Sequence, residues 1–275
     1  MTTPDPEHST VKRAIITGCS TGIGRATALE LTMRGFEVTA TARRPETLAD
    51  LEVAHRLTLD VDSDDSVAAA AAATGSVDVL VNNAGYGLDG AVESVPLEDV
   101  RRMFETNFFG AVRTIKAFLP AMREQGSGVI VNISSVAGIA AGPLAGFYAA
   151  SKFALEAMSE ALHLEVGHFG VRVVVIEPGS IATNFGANLV DYRDEPGPYQ
   201  PLASQWRVAN ERLGGDGPPP GPELVAAAIA DAIESTDTPL RVPVGEDAAL
   251  VAAARQGSTY EQFEAAMRAV LGIDW

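Results

Sequence analysis

The chain has 275 residues, of which 47% are hydrophobic and 20% are charged. This composition can bury a large core and excludes a generally disordered protein. Its 20 basic and 36 acidic residues give a net charge of -16, which argues against nucleic acid or an anionic membrane as the main partner.

The remaining composition excludes several further classes of protein. The single cysteine cannot form an internal disulfide, and no Cys/His group has the spacing of metal ligands, so we expect no metal. No apolar run approaches the roughly 18 residues of a membrane span. Residues 1–10 are polar, do not resemble a signal peptide and are expected to fray. These features predict a cytoplasmic globular protein.

Short β-branched runs alternate with helical patterns along the chain. Most of the runs are continuously apolar, as in strands buried on both faces of a parallel sheet. The predicted strands are Arg13–Thr17, Glu37–Ala42, Arg56–Val61, Val77–Asn82, Gly128–Ile133, Val171–Ile176 and Leu240–Val244. The predicted helices are Ile23–Met33, Asp64–Ala73, Leu97–Met122 and Tyr148–Gly167. The alternation predicts a doubly wound α/β fold, with a seven-stranded, mostly parallel sheet and helices on both faces, in one domain of residues 1–275.

Two segments depart from this alternation. Residues 184–222 are rich in Pro and Gly and carry four aromatic side chains, so we expect a substrate loop or lid, the alternative being a disordered excursion. Residues 246–275 are expected to form a C-terminal helical extension. Within it, Ser258 and Glu261 fit a capping box and Phe263 and Met267 share a stripe with Val270, which predicts a packing helix.

The first predicted strand runs directly into a glycine-rich turn, residues 18–24, that opens a helix. Gly18 permits the tight turn, Gly22 lets the backbone approach a pyrophosphate, and Gly24 allows close packing of helix on strand. The N–H groups at the start of the helix then face the phosphates. Cys19 in this turn could be a nucleophile, but no base is near it in sequence, and a packing role is favoured.

The TGxxxGIG spacing of this turn resembles that of the short-chain dehydrogenase/reductase family. Further motifs of the family follow in order: Asn82-Asn83-Ala84-Gly85, Asn107 in NFFG, Ser134-Ser135, Tyr148 and Lys152 in YxxxK, and Pro178-Gly179 with Thr183 in PGxxxT. The resemblance extends from Lys12 to Gly245. It implies a Rossmann-like fold, a nicotinamide cofactor and hydride transfer, with Asn82 stabilising the central sheet.

The resemblance also implies which residues contact the cofactor. The expected contacts are Gly18, Ser20, Thr21, Gly22, Ile23 and Gly24 at the phosphates, Asp60 and Val61 at the adenine, Asn83, Ala84 and Gly85 along the cofactor, and Tyr148, Lys152, Pro178, Gly179, Ile181 and Thr183 around the nicotinamide and its ribose.

The end of the second strand bears on the choice between NADP(H) and NAD(H). Ala42 stands at the position where a carboxylate would bind a free ribose hydroxyl, and Arg43 can pair with a 2′-phosphate. We therefore expect NADP(H), although Thr21 stands where NADP-dependent members of the family often have a basic residue. Arg44 either assists or is a solvated surface charge, and Ser20 could contact the same phosphate.

Tyr148 and Lys152 are four residues apart and share one face of a helix. A nearby ammonium lowers the pKa of a phenol, so Tyr148 is the expected general acid or base. By resemblance, Ser135 holds the substrate oxygen and Asn107 holds a water that links Lys152 to solvent. His163 and His168, the rival acid/base candidates, are expected at the surface.

These features predict an NADP(H)-dependent oxidoreductase that acts on an apolar alcohol or ketone, in the direction of reduction. Gly142, Pro143, Leu144 and Phe147 are expected to form the wall opposite the lid. Family resemblance implies a homodimer or homotetramer formed through the helices at 97–122 and 148–167. The alternatives are a catalytically silent cofactor sensor and a sugar-nucleotide epimerase. The epimerase would need a TGxxGxxG loop and a larger substrate domain.

Overall fold

A computed structural model of the chain describes residues 11–193, 196–213 and 217–274. The predicted polar terminus, residues 1–10, and residues 194–195 and 214–216 of the predicted lid lie outside the described residues. The strands are β1 (Arg13–Ile16), β2 (Glu37–Ala42), β3 (His55–Thr58), β4 (Val79–Asn82), β5 (Leu88–Asp89), β6 (Gly128–Ile133), β7 (Val171–Pro178), β8 (Val190–Asp191) and β9 (Arg241–Val244).

Seven of these strands form one sheet in the order β3-β2-β1-β4-β6-β7-β9, and every neighbouring pair is parallel. The predicted doubly wound fold is therefore confirmed. The strand order reverses between β1 and β4, which is where a sheet of this kind opens a crevice for a ligand. The other two strands, β5 and β8, form a small parallel pair that joins the predicted lid to the segment after β4.

The helices are α1 (Gly22–Met33), α2 (Asp64–Thr74), α3 (Leu97–Phe104), α4 (Gly110–Gln125), α5 (Gly146–Val166), α6 (Gln200–Leu213), α7 (Pro222–Glu234), α8 (Glu246–Arg255) and α9 (Tyr260–Leu271). A wider, π-helical turn at Glu105–Phe109 joins α3 to α4, so the predicted helix 97–122 is continuous but locally underwound in its middle. Helices α6 and α7 were not predicted, whereas α8 lies in the predicted C-terminal helical extension. The predicted loop at 184–222 therefore contains a helix.

Successive side chains along each strand point to opposite faces of the sheet, so the core has two layers. Ile16 and Val81 pack with residues of α1 and α7, such as Leu31 and Ile229, on one face of the sheet. Their neighbours Ile15 and Leu80 pack on the other face with residues of α2, α4 and α5, including Val67, Phe118 and Leu162. Burying both faces explains why these strands are continuously apolar in sequence.

A chain of buried polar side chains crosses the centre of the sheet. The hydroxyl of Thr114 on α4 donates to Asn82 Oδ1 at 2.5 Å, and Asn82 Nδ2 donates to Asn132 Oδ1 on β6 at 2.9 Å. Asn132 Nδ2 then donates to the hydroxyl of Ser159 on α5 at 2.8 Å. The expected structural role of Asn82 thus has a physical basis, because the amides satisfy one another inside the core.

The C-terminal extension contains the predicted amphipathic helix, but its predicted cap is wrong by one residue. Thr259, not Ser258, is the N-cap: its hydroxyl accepts from the backbone N–H of Gln262, and Gln262 Oε1 accepts from the N–H of Thr259 at 3.0 Å. Two adjacent hydroxyl residues satisfy the sequence pattern equally well, and only one has the extended backbone of a cap. In the described ranges, no helix is both long and apolar enough to cross a bilayer.

Candidate active site

A cavity of about 1360 Å³ lies at the carboxyl ends of the strands, beside the crevice between β1 and β4. All but two of the predicted site residues line it, namely Gly18, Ser20, Thr21, Gly22, Ile23, Arg43, Asp60, Val61, Asn83, Ala84, Gly85, Ser135, Tyr148, Lys152, Pro178, Gly179, Ile181 and Thr183. The exceptions, Gly24 and Asn107, lie immediately behind the lining. The structure thus brings residues that are far apart in sequence to one site.

The glycine turn has the backbone that its sequence predicts. Gly18 and Gly22 have φ values of +75° and +59°, in the left-handed region that favours glycine. A Cβ on Gly24 would lie 2.5 Å from the carbonyl oxygen of Gly18, so only glycine allows α1 to pack this closely on the turn. No side chain caps α1 at Thr21, which leaves the first N–H groups of the helix for an anion.

Thr17 and Asn83 hold this turn in place. Asn83 Nδ2 donates to the carbonyl oxygens of Thr17 and Gly18 at 2.9 and 3.1 Å. The hydroxyl of Thr17 accepts from the backbone N–H groups of Asn83 and Ala84, each at 3.0 Å. The sequence analysis did not single out Thr17, although its place directly before the first glycine of the turn was a usable signal.

Cys19 is fully buried beneath the turn, with its Sγ 3.3 Å from the carbonyl oxygen of Ile16. Burial raises the pKa of its thiol to about 12, so the nucleophilic thiolate does not form near neutral pH. The favoured interpretation of Cys19 as a packing residue is confirmed.

The residues on which the expected preference for NADP(H) rests border the cavity at the end of β2. Ala42, at the end of β2, is 5% exposed and offers no carboxylate. Arg43 follows it, is exposed and also lines the cavity. In the described part of the chain no salt bridge to Arg43 is formed, so its guanidinium is available to pair with a phosphate.

At the other end of the cavity, Tyr148 and Lys152 project from the first turns of α5. Tyr148 lies within hydrogen-bonding reach of the Ser135 hydroxyl, and Lys152 Nζ is 5.8 Å from the centre of the Tyr148 ring. Lys152 is 6% exposed and donates to the carbonyl oxygen of Ile133 at 2.8 Å. The phenol, the serine hydroxyl and the ammonium therefore meet on one wall.

The pKa of Tyr148 differs from the expectation. Burial raises it to about 12, and the hydrogen bond with Ser135 lowers it only in part. The expected lowering of this pKa by Lys152 is wrong for the protein itself, because burial and the charge of Asp89 both disfavour the phenolate. Tyr148 is thus a protonated hydrogen-bond donor at neutral pH.

Asn107 lies in the π-helical turn and is 2% exposed. Its Oδ1 accepts from the backbone N–H of Tyr86 at 3.0 Å, and its Nδ2 donates to the carbonyl oxygen of Tyr86 at 2.9 Å and to Ser151 Oγ at 3.2 Å. Asn107 thereby fixes the backbone after Gly85, opposite Lys152. The role in holding a water stays a prediction.

The substrate side of the cavity is mostly apolar. Phe185 and Trp206 from the predicted lid line the cavity together with Phe263 and Met267 of α9, so the C-terminal helix forms part of its wall. Gly142 and Pro143 line the cavity as expected. Leu144 and Phe147 do not line it, because each packs into a separate apolar cluster beneath the surface. His163 and His168 are exposed and outside the cavity, as expected.

Comparison with known proteins agrees with this geometry. The family model of the short chain dehydrogenases matches residues 12–194. The chain belongs to the short-chain dehydrogenase/reductase (SDR) family of oxidoreductases. Among curated SDR relatives, it is 38% identical over 239 residues to a 3-ketodihydrosphingosine reductase of Bacteroides thetaiotaomicron, covering 84% of this chain and 87% of the relative. It is 39% identical over 254 residues to human retinol dehydrogenase 8, covering 84% and 80%.

Solved SDR structures have the same fold. A short-chain dehydrogenase from Streptomyces avermitilis superposes with a TM-score of 0.83 at 36% identity, covering 97% of this chain and 100% of the other. One from Burkholderia cenocepacia, in complex with NADP, has a TM-score of 0.76 at 26% identity, covering 95% and 97%. One from Burkholderia phymatum, in complex with NAD, has a TM-score of 0.71 at 27% identity, covering 84% and 88%.

Proposed function

We propose that this SDR is an NADP(H)-dependent reductase of apolar ketones, which also catalyses the reverse oxidation of the alcohols. The observation that carries the proposal is the convergence of Tyr148, Ser135 and Lys152 on one wall of the cavity into which the glycine turn opens. A bound nicotinamide supplies or accepts the hydride at the substrate carbon.

The protein's own residues handle the oxygen and the proton. Ser135 and Tyr148 hold the substrate oxygen between two hydroxyl groups, and the Tyr148 hydroxyl donates its proton to that oxygen as it gains negative charge. Because burial keeps the phenol protonated, the chain is set for the reductive direction. Lys152 stabilises the phenolate that remains after proton transfer.

The choice of NADP(H) rests on the residues at the end of β2. A carboxylate at position 42 would repel the 2′-phosphate, whereas Ala42 does not, and exposed Arg43 pairs with it. Since related structures bind either NADP or NAD, the fold alone does not determine which of the two cofactors is bound. Combining Ala42→Asp with Arg43→Ser should move the preference toward NAD(H), and Arg101→Ser, at an exposed arginine outside the cavity lining, is the matched control. An unchanged preference in the double variant would refute the assignment.

The apolar class of substrate is supported by the aromatic and aliphatic wall formed by residues of α6, α9 and the lid. Two relatives are named for reactions of lipid-like molecules, a 3-ketodihydrosphingosine and retinol. Burying a hydrocarbon against such a wall contributes about 25 cal/mol per Å². Longer ketones should therefore have a lower KM than short ones.

Consumption of NADPH with a series of ketones of increasing chain length tests the whole proposal. Tyr148→Phe should lower turnover by about 10²- to 10⁴-fold while cofactor binding persists, since only the proton donor is lost. Tyr199→Phe, which removes a hydroxyl that donates to Glu93 away from the cavity, is the matched control. Retained turnover in Tyr148→Phe would refute the catalytic assignment. Binding of NADPH without turnover of any ketone would favour a sensor.

We further propose that the protein forms a homodimer or homotetramer through α4 and α5. Three large apolar side chains on or beside these helices, Phe109, Phe153 and Leu164, are 47%, 44% and 78% exposed. Placing them in an interface removes them from water. Light scattering of the purified protein should give a multiple of the chain mass, and Phe153→Glu should reduce it. A monomeric wild-type protein would refute the proposal.

A further inference from the structure

Behind the catalytic wall lies a buried group of charged side chains that the proposed chemistry does not use. Glu156 on α5 is 5% exposed, and Glu177 at the end of β7 is 2% exposed. Arg241 at the start of β9 reaches both of them from the sheet edge. Buried carboxylates are rare unless they are paired, so this group calls for an explanation.

Arg241 opposes the effect of burial on Glu156. Arg241 Nε donates to Glu156 Oε2 at 3.0 Å, and its Nη2 donates to Glu160 Oε2 at 2.7 Å on the exposed side. Burial raises the pKa of Glu156, while hydrogen bonds from Ser134 and Arg241 and the charges of Arg241 and Lys152 lower it. Because a guanidinium stays protonated throughout the physiological range, Arg241 is a permanent counter-charge.

Lys152 depends on such a counter-charge. Its ammonium is buried and donates a hydrogen bond to a neutral group, the Ile133 carbonyl oxygen. Burial lowers the pKa of Lys152 to about 8, and the charge of Glu156 opposes that lowering. Glu156 stands one helical turn after Lys152, on the same face of α5. Two neighbours of the ammonium are uncharged at neutral pH: Tyr148, whose ring centre is 5.8 Å from Lys152 Nζ, and Asn107, which lies with Nζ beside Gly85.

Two further groups face Glu156. The hydroxyl of Ser134 lies beside its carboxylate across Gly138, where a Cβ would be 2.5 Å from Ser134 Oγ and 3.2 Å from Glu156 Oε1. Glu177 lies 3.9 Å from Arg241 Nε and within hydrogen-bonding reach of the Glu156 carboxyl group. Burial and the charge of Glu156 raise the pKa of Glu177 to about 7, so at neutral pH Glu177 is only partly ionised. Glu156 is the carboxylate of this pair that accepts a hydrogen bond from Arg241 Nε.

We propose that Glu156 is a positioning residue whose negative charge keeps Lys152 protonated, and that Arg241 keeps Glu156 ionised. The proposal rests on the proposed function only for the use that the enzyme makes of Lys152. The charge relation itself is a property of the protein alone and can be measured without turnover.

The composition of the chain makes this measurement direct. It contains three lysines, Lys12, Lys116 and Lys152, and the first two are exposed. Protein labelled with ¹³C at the lysine ε-carbon should therefore give three signals in an NMR titration, and Lys152→Arg identifies the one that belongs to Lys152. In the wild-type protein this signal should titrate near pH 8.

In Glu156→Gln, which has nearly the same shape, the Lys152 signal should titrate about one pH unit lower. Glu156→Asp keeps the charge and should return the midpoint toward the wild-type value. Glu160→Gln, the matched control, loses an ion pair to the same arginine at the surface and should leave the midpoint unchanged. At pH 7.5 the expected shift leaves about threefold less protonated Lys152.

An unchanged Lys152 midpoint in folded Glu156→Gln would overturn the proposal, as would an equal shift in Glu160→Gln. Should Glu156→Gln fail to fold, Arg241→Gln provides the second test. Losing the guanidinium raises the pKa of Glu156, so the Lys152 midpoint should again fall, and no fall would contradict the inference. An enzyme inactive on every ketone that still shows the Glu156→Gln shift would refute the proposed function and leave the charge relation standing.

Discussion

Substituting Gly24 by alanine tests the tight packing on which the cofactor site depends. Gly24 is the third residue of α1, and an added Cβ would lie 2.5 Å from the carbonyl oxygen of Gly18, where ordinary contact begins at 3.4 Å. The helix or the turn must therefore move by about 0.9 Å. The amide of Asn83 lies against the same point, so its hydrogen bonds to Thr17 and Gly18 are disturbed as well.

The cost can be worked out from these contacts. Overpacking of this kind costs about 1–3 kcal/mol, and weakening the two hydrogen bonds of Asn83 adds about 1 kcal/mol. Replacing glycine by alanine within a helix stabilises the helix by up to about 1 kcal/mol. Gly167 has open space around its Cβ position and right-handed helical dihedral angles, so Gly167→Ala is the matched control that carries the propensity gain alone. The two variants should differ by about 3 kcal/mol.

Urea unfolding followed by circular dichroism gives the free energy of unfolding of each variant, and quenching of protein fluorescence gives the Kd for NADPH. Gly24→Ala should be less stable than Gly167→Ala by the stated amount, which is about 6–12 °C in Tm for a chain of this size. It should also bind NADPH more weakly, while Gly167→Ala binds it like the wild type. If the two variants matched in both stability and affinity, the reasoning about Gly24 would be refuted.

Three other predictions concern buried groups and the substrate wall. Burial raises the pKa of Glu177 from 4.5 to about 7, so it contributes stability below pH 4.5 that is lost as the pH rises to 7. Between pH 5 and 8, the free energy of unfolding of Glu177→Gln should therefore fall by about 2 kcal/mol less than that of the wild type. An equal fall for the two proteins in urea unfolding would contradict this. Cys19 should react with a thiol reagent only after unfolding. Rapid labelling of the native protein would contradict the burial of its thiol. Trp206→Ala should lower kcat/KM about tenfold for long apolar ketones and leave short ones unchanged, whereas a uniform loss would place Trp206 outside substrate binding.

Much of the fold could be predicted because strands that are buried on both faces of the sheet are continuously apolar in sequence. The bounds of β2 and β6 were predicted correctly, and the other main strands were placed within three residues at either end. The additional helices could not be found in the same way. The buried face of α6 exists only because Leu202 and Trp206 pack against the C-terminal segment, a contact that a local pattern does not encode. The alanine-rich α7 shows little contrast between its faces.

The candidate site was predicted from motifs whose spacing is fixed by chemistry, such as the i, i+4 spacing of Tyr148 and Lys152. Its electrostatics were not predictable, since the pKa of Tyr148 depends on how completely the cavity removes it from water. Neither was the pairing of Glu156 with Arg241, which are 85 residues apart and meet only when β9 joins β7 at the sheet edge. Separation along the chain hides such pairs from any local pattern.

The amide and hydroxyl chain through the sheet has a consequence for the geometry of catalysis. Ser159 belongs to the helix that carries Tyr148 and Lys152, and its hydroxyl is tied to Asn132 in the middle of the core. Apolar contacts allow a helix to slide slightly over a sheet. A hydrogen bond that breaks in the buried interior leaves a donor and an acceptor unsatisfied, so it opposes such sliding. This hydrogen bond therefore fixes the rotation of the whole helix about its axis. The positions of Tyr148 and Lys152 depend on it, although it lies nearly two helical turns beyond the lysine.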